Sequence, residues 1–267
     1  MNDKERLDVR LVELGFFDTR EKARAQIMAG KIYVDDQKSD KPGTKVKKDA
    51  HIEDRGEKMP FVSRGGYKLD KAVKHFHIDL QGKRCMDIGA STGGFTDVML
   101  QNGAKKVYAI DVGYGQFAWK LRQDQRVVCL ERLNFRYATK EEIPELCDFS
   151  ATDVSFISIT KIIPKAMELM TEEGEMVALI KPQFEAGREK VEKKGVVKKK
   201  STHIEVLEEI MRFILAENLF IYGIDYSPIR GPEGNIEFLV YFGKQQKGTR
   251  EDWLGRVAAV VDQAHEL

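Results

Sequence analysis

From residue 84 onward the chain alternates short apolar runs with amphipathic stretches until two strand-like runs follow one another with no helix between them. Such alternation marks an α/β sheet with helices packed on its faces. RCMDIGA (84–90) reads as the first strand, ending in a glycine turn before a helix over FTDVMLQNG. KVYAIDVG is the second, with residues 116–123 as its helix, and VVCLE is the third. DFSATDVSF is the fourth, preceded by a helix around 141–146, and ISITKIIPKAMELM continues as a helix interrupted by Pro164. GEMVALIKPQF is the fifth strand. THIEVLEEIMRFILAENL carries apolar residues at Ile204, Leu207, Ile210, Met211, Ile214 and Leu215, the spacing of an amphipathic helix. IYGIDYSPI and IEFLVYFGK are the final, consecutive pair.

The first strand delivers the chain to Asp87-Ile88-Gly89-Ala90-Ser91-Thr92-Gly93-Gly94-Phe95. A glycine-rich turn at the carboxyl edge of such a sheet lets a ligand approach the backbone closely. The glycine spacing is wrong for the dinucleotide fingerprint GxGxxG, and no GxxxxGK[ST] phosphate loop occurs. Asp87, before the first glycine, points to a cofactor with a cationic amino-acid part. Asp111 ends the second strand, where a carboxylate can accept hydrogen bonds from ribose hydroxyls. A dispersed set of ionisable residues joins them: Lys68 in SRGGYKL, Asp153 in ATDVSF, Lys181 in ALIKPQF and Glu237 in NIEFLVY. Asp153 and Lys181 close strands four and five, and charge in such apolar surroundings is costly unless paired or functional.

Ahead of this domain, residues 1–58 read as a separate module. RLDVRLVELG has apolar residues at Leu7, Leu11 and Leu14 and stops at Gly15. Thr19 is a plausible N-cap for REKARAQIMAG, with a stripe at Ala23, Ile27 and Met28 and a stop at Gly30. KIYVDD is a short strand, and KPGTKVKKDAHIED a turn with strand fragments. Arg6, Arg10, Arg20, Lys22, Arg24 and Lys31 lie on or beside the helices, which suits a small RNA-binding face. Residues 59–62, Met59-Pro60-Phe61-Val62, form the expected linker, because Pro60 biases Met59 away from helix.

Composition sharpens the choice of partner. The 267 residues carry 44 Lys+Arg and 43 Asp+Glu, a net charge of +1, so no globally cationic field recruits nucleic acid. The distribution is uneven: 61–84 carries +4 and 188–200 carries +5, against −4 over 85–187 and −5 over 201–267. Arg64 belongs to the first basic block, and Arg188 and Lys190 to the second, a loop able to neutralise RNA phosphates. The three cysteines form no framework and the five histidines no metal-ligand spacing, which implies a reduced cytoplasmic setting and no metal. The start lacks the apolar core of a signal peptide, and no apolar run is long enough to span a membrane.

RLD at 6–8, TREKARAQIMAGKIYVD at 19–35 and KPGTKVKKDAHI at 41–52 resemble the alpha-L RNA-binding domain of a small-subunit ribosomal protein and of many pseudouridine synthases. Asp87 and Asp111 around the glycine turn resemble the S-adenosylmethionine site of class I methyltransferases. The terminal strand pair sets that seven-stranded sheet apart from an oxidoreductase-type Rossmann sheet. Lys68, Asp153, Lys181 and Glu237, with SRGGYKL, DIGASTGGF and LIKPQFE, resemble the Lys-Asp-Lys-Glu tetrad of FtsJ-like ribose 2′-O-methyltransferases. The combination is similar to the TlyA-type hemolysin A family over essentially the whole chain. The linker departs from the Arg-x-Trp-Val form of some members.

The resemblance implies a class I Rossmann-like α/β methyltransferase domain over 63–267 and methylation of ribosomal RNA in the small or large subunit. It also implies a cofactor site of Asp87, Gly89, Ser91, Thr92, Gly93, Gly94, Phe95, Asp111 and Asn134. Lys181 is the expected activator of the ribose hydroxyl, with Asp153 and Glu237 holding the lysines and Lys68 placing the ribose. Amino methylation of a base fits less well, because Thr152-Asp153-Val154-Ser155-Phe156 replaces an Asn/Asp-Pro-Pro-Tyr/Phe turn. Base-carbon methylation lacks a nucleophile, since Cys147 is expected before strand four and Cys85 and Cys129 on strands one and three. Two alternatives stand beside this reading: a catalytically inactive rRNA-binding assembly factor, and a membrane-active hemolysin.

Overall fold

In the computed structural model residues 4–56, 59–247 and 252–267 are described, and the chain divides into two compact units, 1–60 and 61–267. The expected domain boundary at residue 58 lies outside the described residues.

The first unit runs β1 (Lys4–Arg6), α1 (Leu7–Glu13), α2 (Arg20–Met28), β2 (Ile32–Val34), β3 (Gln37–Ser39), β4 (Lys45–Lys47) and β5 (Ile52–Asp54). β1 pairs antiparallel with β4, and β3, β2 and β5 form a second small sheet. Thr19 caps α2 by accepting from the Lys22 amide at 3.3 Å, and Gly30 closes it at φ +67°. The two-residue turn of the β2–β3 hairpin is Asp35-Asp36, both at positive φ, the backbone that matches strand twist. Leu7, Leu11, Ala23, Ile27, Ile32, Val46 and Ile52 make the core. Leu14 and Met28, expected on the buried stripes, are exposed instead: α1 ends one residue before Leu14, and Met28 is the last residue of α2.

In the second unit α3 (Gly66–His75) precedes β6 (Arg84–Ile88), α4 (Gly94–Gln101), β7 (Lys106–Ile110), α5 (Trp119–Arg122), β8 (Val127–Leu130) and β9 (Cys147–Thr152). Then come α6 (Ile163–Glu168), β10 (Met170–Ile180), α7 (Pro182–Glu185), α8 (Lys200–Ala216), β11 (Phe220–Tyr226), β12 (Phe238–Gly243) and α9 (Val257–Ala264). The seven strands lie in the order β11-β12-β10-β9-β6-β7-β8, with β12 antiparallel to both its neighbours. Apolar side chains alternate across the sheet. Met86, Ile88, Tyr108, Ile110, Met176 and Ala178 face α6, α8 and α9, whereas Cys85, Val107, Phe149, Val177 and Leu179 pack with α3 and α4. The chain steps from β6 out to β8 and then crosses back to β9. The carboxyl ends of β6 and β9 are therefore the point where strand order reverses, the place where such sheets bind ligands.

Several local expectations need correction. No helix forms over 141–146: Glu142 folds back to accept from the Thr139 amide and hydroxyl, and Pro144 lacks a helical donor. Helix 116–123 shrinks to α5. Pro164 starts α6 rather than interrupting it, which suits a residue whose missing N–H is unneeded in a first turn. The fifth strand stops at Ile180, because Pro182 opens α7. Cys147 is the first residue of β9, buried, not a residue ahead of it. The basic stretch 187–200 is partly structured, with a 3-10 turn at Arg188–Lys190, a Glu192–Val196 bridge and Val196 and Val197 buried.

The last helix, α9, is joined to α8 by a histidine pair. His203 Nε2 lies 3.1 Å from the Val197 carbonyl, which can only accept, so Nε2 carries the proton. Nδ1 must then accept from His265 Nε2, 2.9 Å away. A protonated His203 would set N–H against N–H, and burial, with His265 and Arg230 nearby, pushes its pKa down to about 4. The unfolded chain binds this proton near pH 6.5 and the folded chain does not, so stability is full above 6.5 and falls as pH drops towards 4, by at most roughly 3 kcal/mol. His203→Gln keeps a donor for Val197 but cannot titrate. Urea midpoints at pH 7.5 and 4.5 should therefore differ less for His203→Gln than for the wild type, and equal differences would contradict the assignment.

Candidate active site

Four segments deliver four charged side chains to the strand-reversal point. Lys68 is the third residue of α3, Asp153 follows β9, Lys181 follows β10, and Glu237 immediately precedes β12. Lys68 Nζ sits 2.9 Å from Asp153 Oδ2 and 2.7 Å from Glu237 Oε2. Lys181 pairs with Asp153 Oδ1 and donates to Ser155 Oγ at 3.1 Å. The result is a continuous array, Lys181–Asp153–Lys68–Glu237, in which acids and bases alternate.

Burial pushes the Lys68 pKa down, but Asp153 and Glu237 outweigh it and hold the ammonium above its ordinary pKa. For Asp153 burial pushes up, and the two lysines more than reverse this. Glu237 goes the other way: burial dominates over Lys68, with Asp153 adding repulsion, and its pKa is raised. Gly231 lies so close over this carboxylate that a Cβ there would meet Oε1 at 2.2 Å. Gly231 therefore belongs to the site although sequence reasoning passed over it; its position beside Pro232 reads only as a turn.

The expected cofactor residues gather next to this array. Gly89, at φ +85°, leaves no room for a Cβ, which would lie 2.8 Å from the Asp153 carbonyl oxygen, so the glycine turn and the array share one backbone contact. Asp87 Oδ2 accepts from the Thr96 amide at 2.8 Å and from its hydroxyl at 2.6 Å, while Oδ1 is buried with no hydrogen-bond partner. Burial pushes the Asp87 pKa up to about 7, against the Thr96 hydrogen bonds. Asp111 holds the Ser91 amide at 2.7 Å and the Gly113 amide at 2.6 Å, tying the loops after β6 and β7 together. The Leu133 amide donates to the Asp111 carbonyl, which brings Asn134 to the same edge, where its side chain caps the turn at Arg136. Thr92 accepts from the Ala118 amide through its backbone, Gly93 starts α4 at φ +94°, and Gly94 packs against the Gly66 amide. The Phe95 side chain, in the first turn of α4, is buried in the cluster that also holds Ala90 and Phe117.

Two aromatic residues at this edge escaped sequence reasoning. Phe156 follows the array's Asp153 at φ +63°, is 90% exposed, and lies 5.0 Å from the ring of Phe184. Lys181 Nζ is 6.0 Å from the Phe184 ring centre. The available signal was an aromatic in the turn after strand four, read only as the absence of a Pro-Pro motif.

The expected RNA-contacting cations divide into two groups. Arg24, Lys31, Arg64 and Arg188 are exposed. Arg6 and Arg20 bind Asp8, Arg10 binds Glu13, Lys22 binds Asp18, and Lys190 binds Glu205.

Residues 61–244 match the model of the FtsJ-like methyltransferase family, and 5–52 match the S4 domain. The chain belongs to the FtsJ-like methyltransferase family. YqxC of Bacillus subtilis is 49% identical over 98% of this chain and 95% of its own length. The 16S/23S rRNA (cytidine-2′-O)-methyltransferase TlyA of Mycobacterium tuberculosis is 39% identical over 92% of each chain. A solved Streptococcus thermophilus chain described as a hemolysin superposes over 100% of this chain and 97% of its own, with TM-score 0.76 and 45% identity. This FtsJ-like sheet thus has the seven-stranded form expected from its terminal strand pair. Among the described residues no helix is long and apolar enough to cross a membrane, and no cluster of His, Cys, Asp and Glu could hold a metal ion.

Removing the cation at the centre of the array exposes its cost. Lys68→Met leaves Asp153 and Glu237 facing one another and should destabilise the protein by about 3–5 kcal/mol in chemical denaturation. Adding Glu237→Gln should recover part of the loss. A loss under about 1 kcal/mol would mean that the carboxylates are not held by this lysine.

Proposed function

We propose that this chain transfers a methyl group from S-adenosylmethionine to a ribose 2′-hydroxyl of ribosomal RNA. The observation that carries the reading is the alternating array Lys181–Asp153–Lys68–Glu237 beside a glycine turn whose buried carboxylate lacks a cationic partner. The relatives from Mycobacterium tuberculosis and Campylobacter jejuni, 39% and 34% identical, are named rRNA (cytidine-2′-O)-methyltransferases, which supports ribose of rRNA as the acceptor. The S4 domain match supports an RNA partner for residues 1–58, with 59–62 as the connection to a methyltransferase domain over 63–267.

The residues present fit the cofactor. Asp87 Oδ1 is a buried acceptor without a donor, and an ammonium group there would supply one while drawing the carboxylate back to its ionised form. Asp111 uses one site on each oxygen for backbone amides and keeps acceptor capacity for ribose hydroxyls. The backbone of Gly89 to Gly94 offers close approach. When bound, S-adenosylmethionine supplies an electrophilic methyl group on a sulfonium.

The protein's own part is to prepare the hydroxyl. Lys68 is locked as a cation between two carboxylates, so it serves as a fixed charge that places the ribose rather than as a proton acceptor. Lys181 has one carboxylate and one hydroxyl for partners, and its Nζ donates to the 2′-oxygen, orienting it and stabilising the negative charge that develops there as the hydroxyl proton passes to solvent. Phe156 and Phe184 present aromatic surface on which the target base can stack, holding the nucleotide out of its helix. Much of the acceleration then comes from alignment of donor and acceptor.

Lys181→Ala should lower tritiated methyl incorporation into rRNA by at least about a hundredfold, while RNA and cofactor affinities stay within about twofold. Near-normal turnover would sink the assignment. The incorporated methyl should protect the adjoining phosphodiester from alkali, as only a 2′-O-methyl does. No incorporation by the wild type would favour the inactive assembly factor instead; the membrane-active alternative rests on relatives' names alone. Asp87 adds a pH signature. Below pH 7 it must lose a proton to pair with the cofactor's ammonium, so affinity should fall about tenfold per unit from pH 7 to 5.5. In calorimetric titrations Asp87→Asn should weaken binding and flatten this dependence; an unchanged slope would place the cofactor elsewhere.

A further inference from the structure

Asp8 is a fully buried carboxylate in the first turn of α1, and its partners are two arginines that are themselves half in water. Arg6 grips it with two parallel bonds, Nε to Oδ1 and Nη2 to Oδ2, each 3.0 Å. Arg20, from the start of α2, donates its Nη2 to the same Oδ2 at 3.0 Å. The two Nη2 atoms share one oxygen, so they are no further apart than twice that distance. Two guanidinium groups so close would repel each other without the carboxylate between them. The Arg6 hydrogen bonds, reinforced by Arg20, hold the Asp8 pKa down to about 2 against burial, so the carboxylate stays charged throughout any working pH.

The arginines keep most of their donors. Arg6 commits two of its five N–H groups and Arg20 one, and their side chains are 48% and 56% exposed. The 42–44 turn lies near Arg6. The Leu7 and Asp8 amides donate to the Thr44 and Pro42 carbonyls, which holds the 42–44 turn beside the start of α1. A Cβ on Gly43 would lie 3.3 Å from Arg6 Nη1. The cluster carries one surplus positive charge on two half-exposed guanidinium groups anchored to one carboxylate, and planar guanidinium forks match the oxygens of a phosphate.

We propose that Asp8 is a positioning residue that assembles Arg6 and Arg20 into one preformed phosphodiester-binding site, so that RNA affinity depends on a carboxylate RNA never touches. The proposal rests on the RNA-modifying reading above and deepens it. Its energetic logic is preorganisation: the two side chains are ordered before RNA arrives, so binding bears less of that entropy cost.

The test uses the full chain, deproteinised ribosomal RNA and a salt series. Asp8→Asn keeps the shape but removes the charge. It should weaken binding by about five- to tenfold and reduce the slope of log affinity against log salt by about one, the signature of a lost phosphate contact. The double variant Arg6→Gln/Arg20→Gln should lose at least as much, and adding Asp8→Asn to it should cost nothing further. Ile27→Val, which loosens the same core without touching the cluster, should lower the melting temperature yet leave affinity and slope unchanged. Should Asp8→Asn fail to fold, Arg6→Lys, which keeps the charge but cannot grip Asp8 through two parallel bonds, should reproduce the loss of affinity. Wild-type affinity for Asp8→Asn, or for Arg6→Lys in that case, overturns the proposal. So does a further loss when Asp8→Asn is added to the double variant, or weakened binding by Ile27→Val. In each of those cases the wild type still binds, and the RNA reading survives. Failure of the wild type to bind rRNA would overturn both.

Discussion

The site depends on one carboxylate standing between two ammonium groups. Asp153 would be expensive to keep charged at the end of a central strand, and each lysine would be expensive to bury near it, yet together they close the account. This mutual dependence explains why the array draws on four separate segments. A parallel sheet brings the carboxyl ends of β9 and β10 side by side, which places Asp153 and Lys181 on adjacent strands. It cannot supply Lys68, which must come from a helix packed over the sheet, nor Glu237, which enters from the antiparallel strand. The inserted β12 is therefore more than a topological marker. By running against its neighbours it starts at the edge where the others end, so the residue just before it is available to the site.

Glycine placement enforces the same geometry. Gly89 lets the turn after β6 touch the Asp153 carbonyl, and Gly231 lets backbone lie over the Glu237 carboxylate. A side chain at the first would separate the glycine turn from the array. One at the second would displace the carboxylate whose burial raises its pKa, and with it the partner that keeps Lys68 charged. The two lysines can then differ in role while sharing chemistry. Lys68 has a carboxylate on each side, and Lys181 has only one together with a neutral hydroxyl.

Much of this was legible in the sequence because it is local. Strand, glycine turn and carboxylate occur in one run at 84–95, and the consecutive strands at the end announce the sheet order. The tetrad emerged through resemblance, since no spacing connects residues 68, 153, 181 and 237. Their order along the array, and Gly231 above it, required the fold. The failures are equally physical. Residues 141–146 have helical composition, but Thr139 offers Glu142 a competing local hydrogen bond, and Pro144 withholds a donor. Leu14 and Met28 keep helical spacing beyond the point where their short helices leave the core. The His203–His265 pair joins residues that no periodicity relates.

Charge followed the same division. A net charge of +1 that conceals basic blocks of +4 and +5 reads as local cation surfaces, and the fold shows that many cations are already paired with acids. Pairing does not remove a guanidinium from use, because an arginine holding a carboxylate through two N–H groups still presents three more. A paired lysine has spent a larger share of its smaller, rotatable set of donors and gains little fixed direction from the partner. Near-neutrality and RNA recognition are therefore compatible where acids lie beneath arginines. The acid costs the surface some long-range attraction, and in exchange it orders the guanidinium groups that hold it.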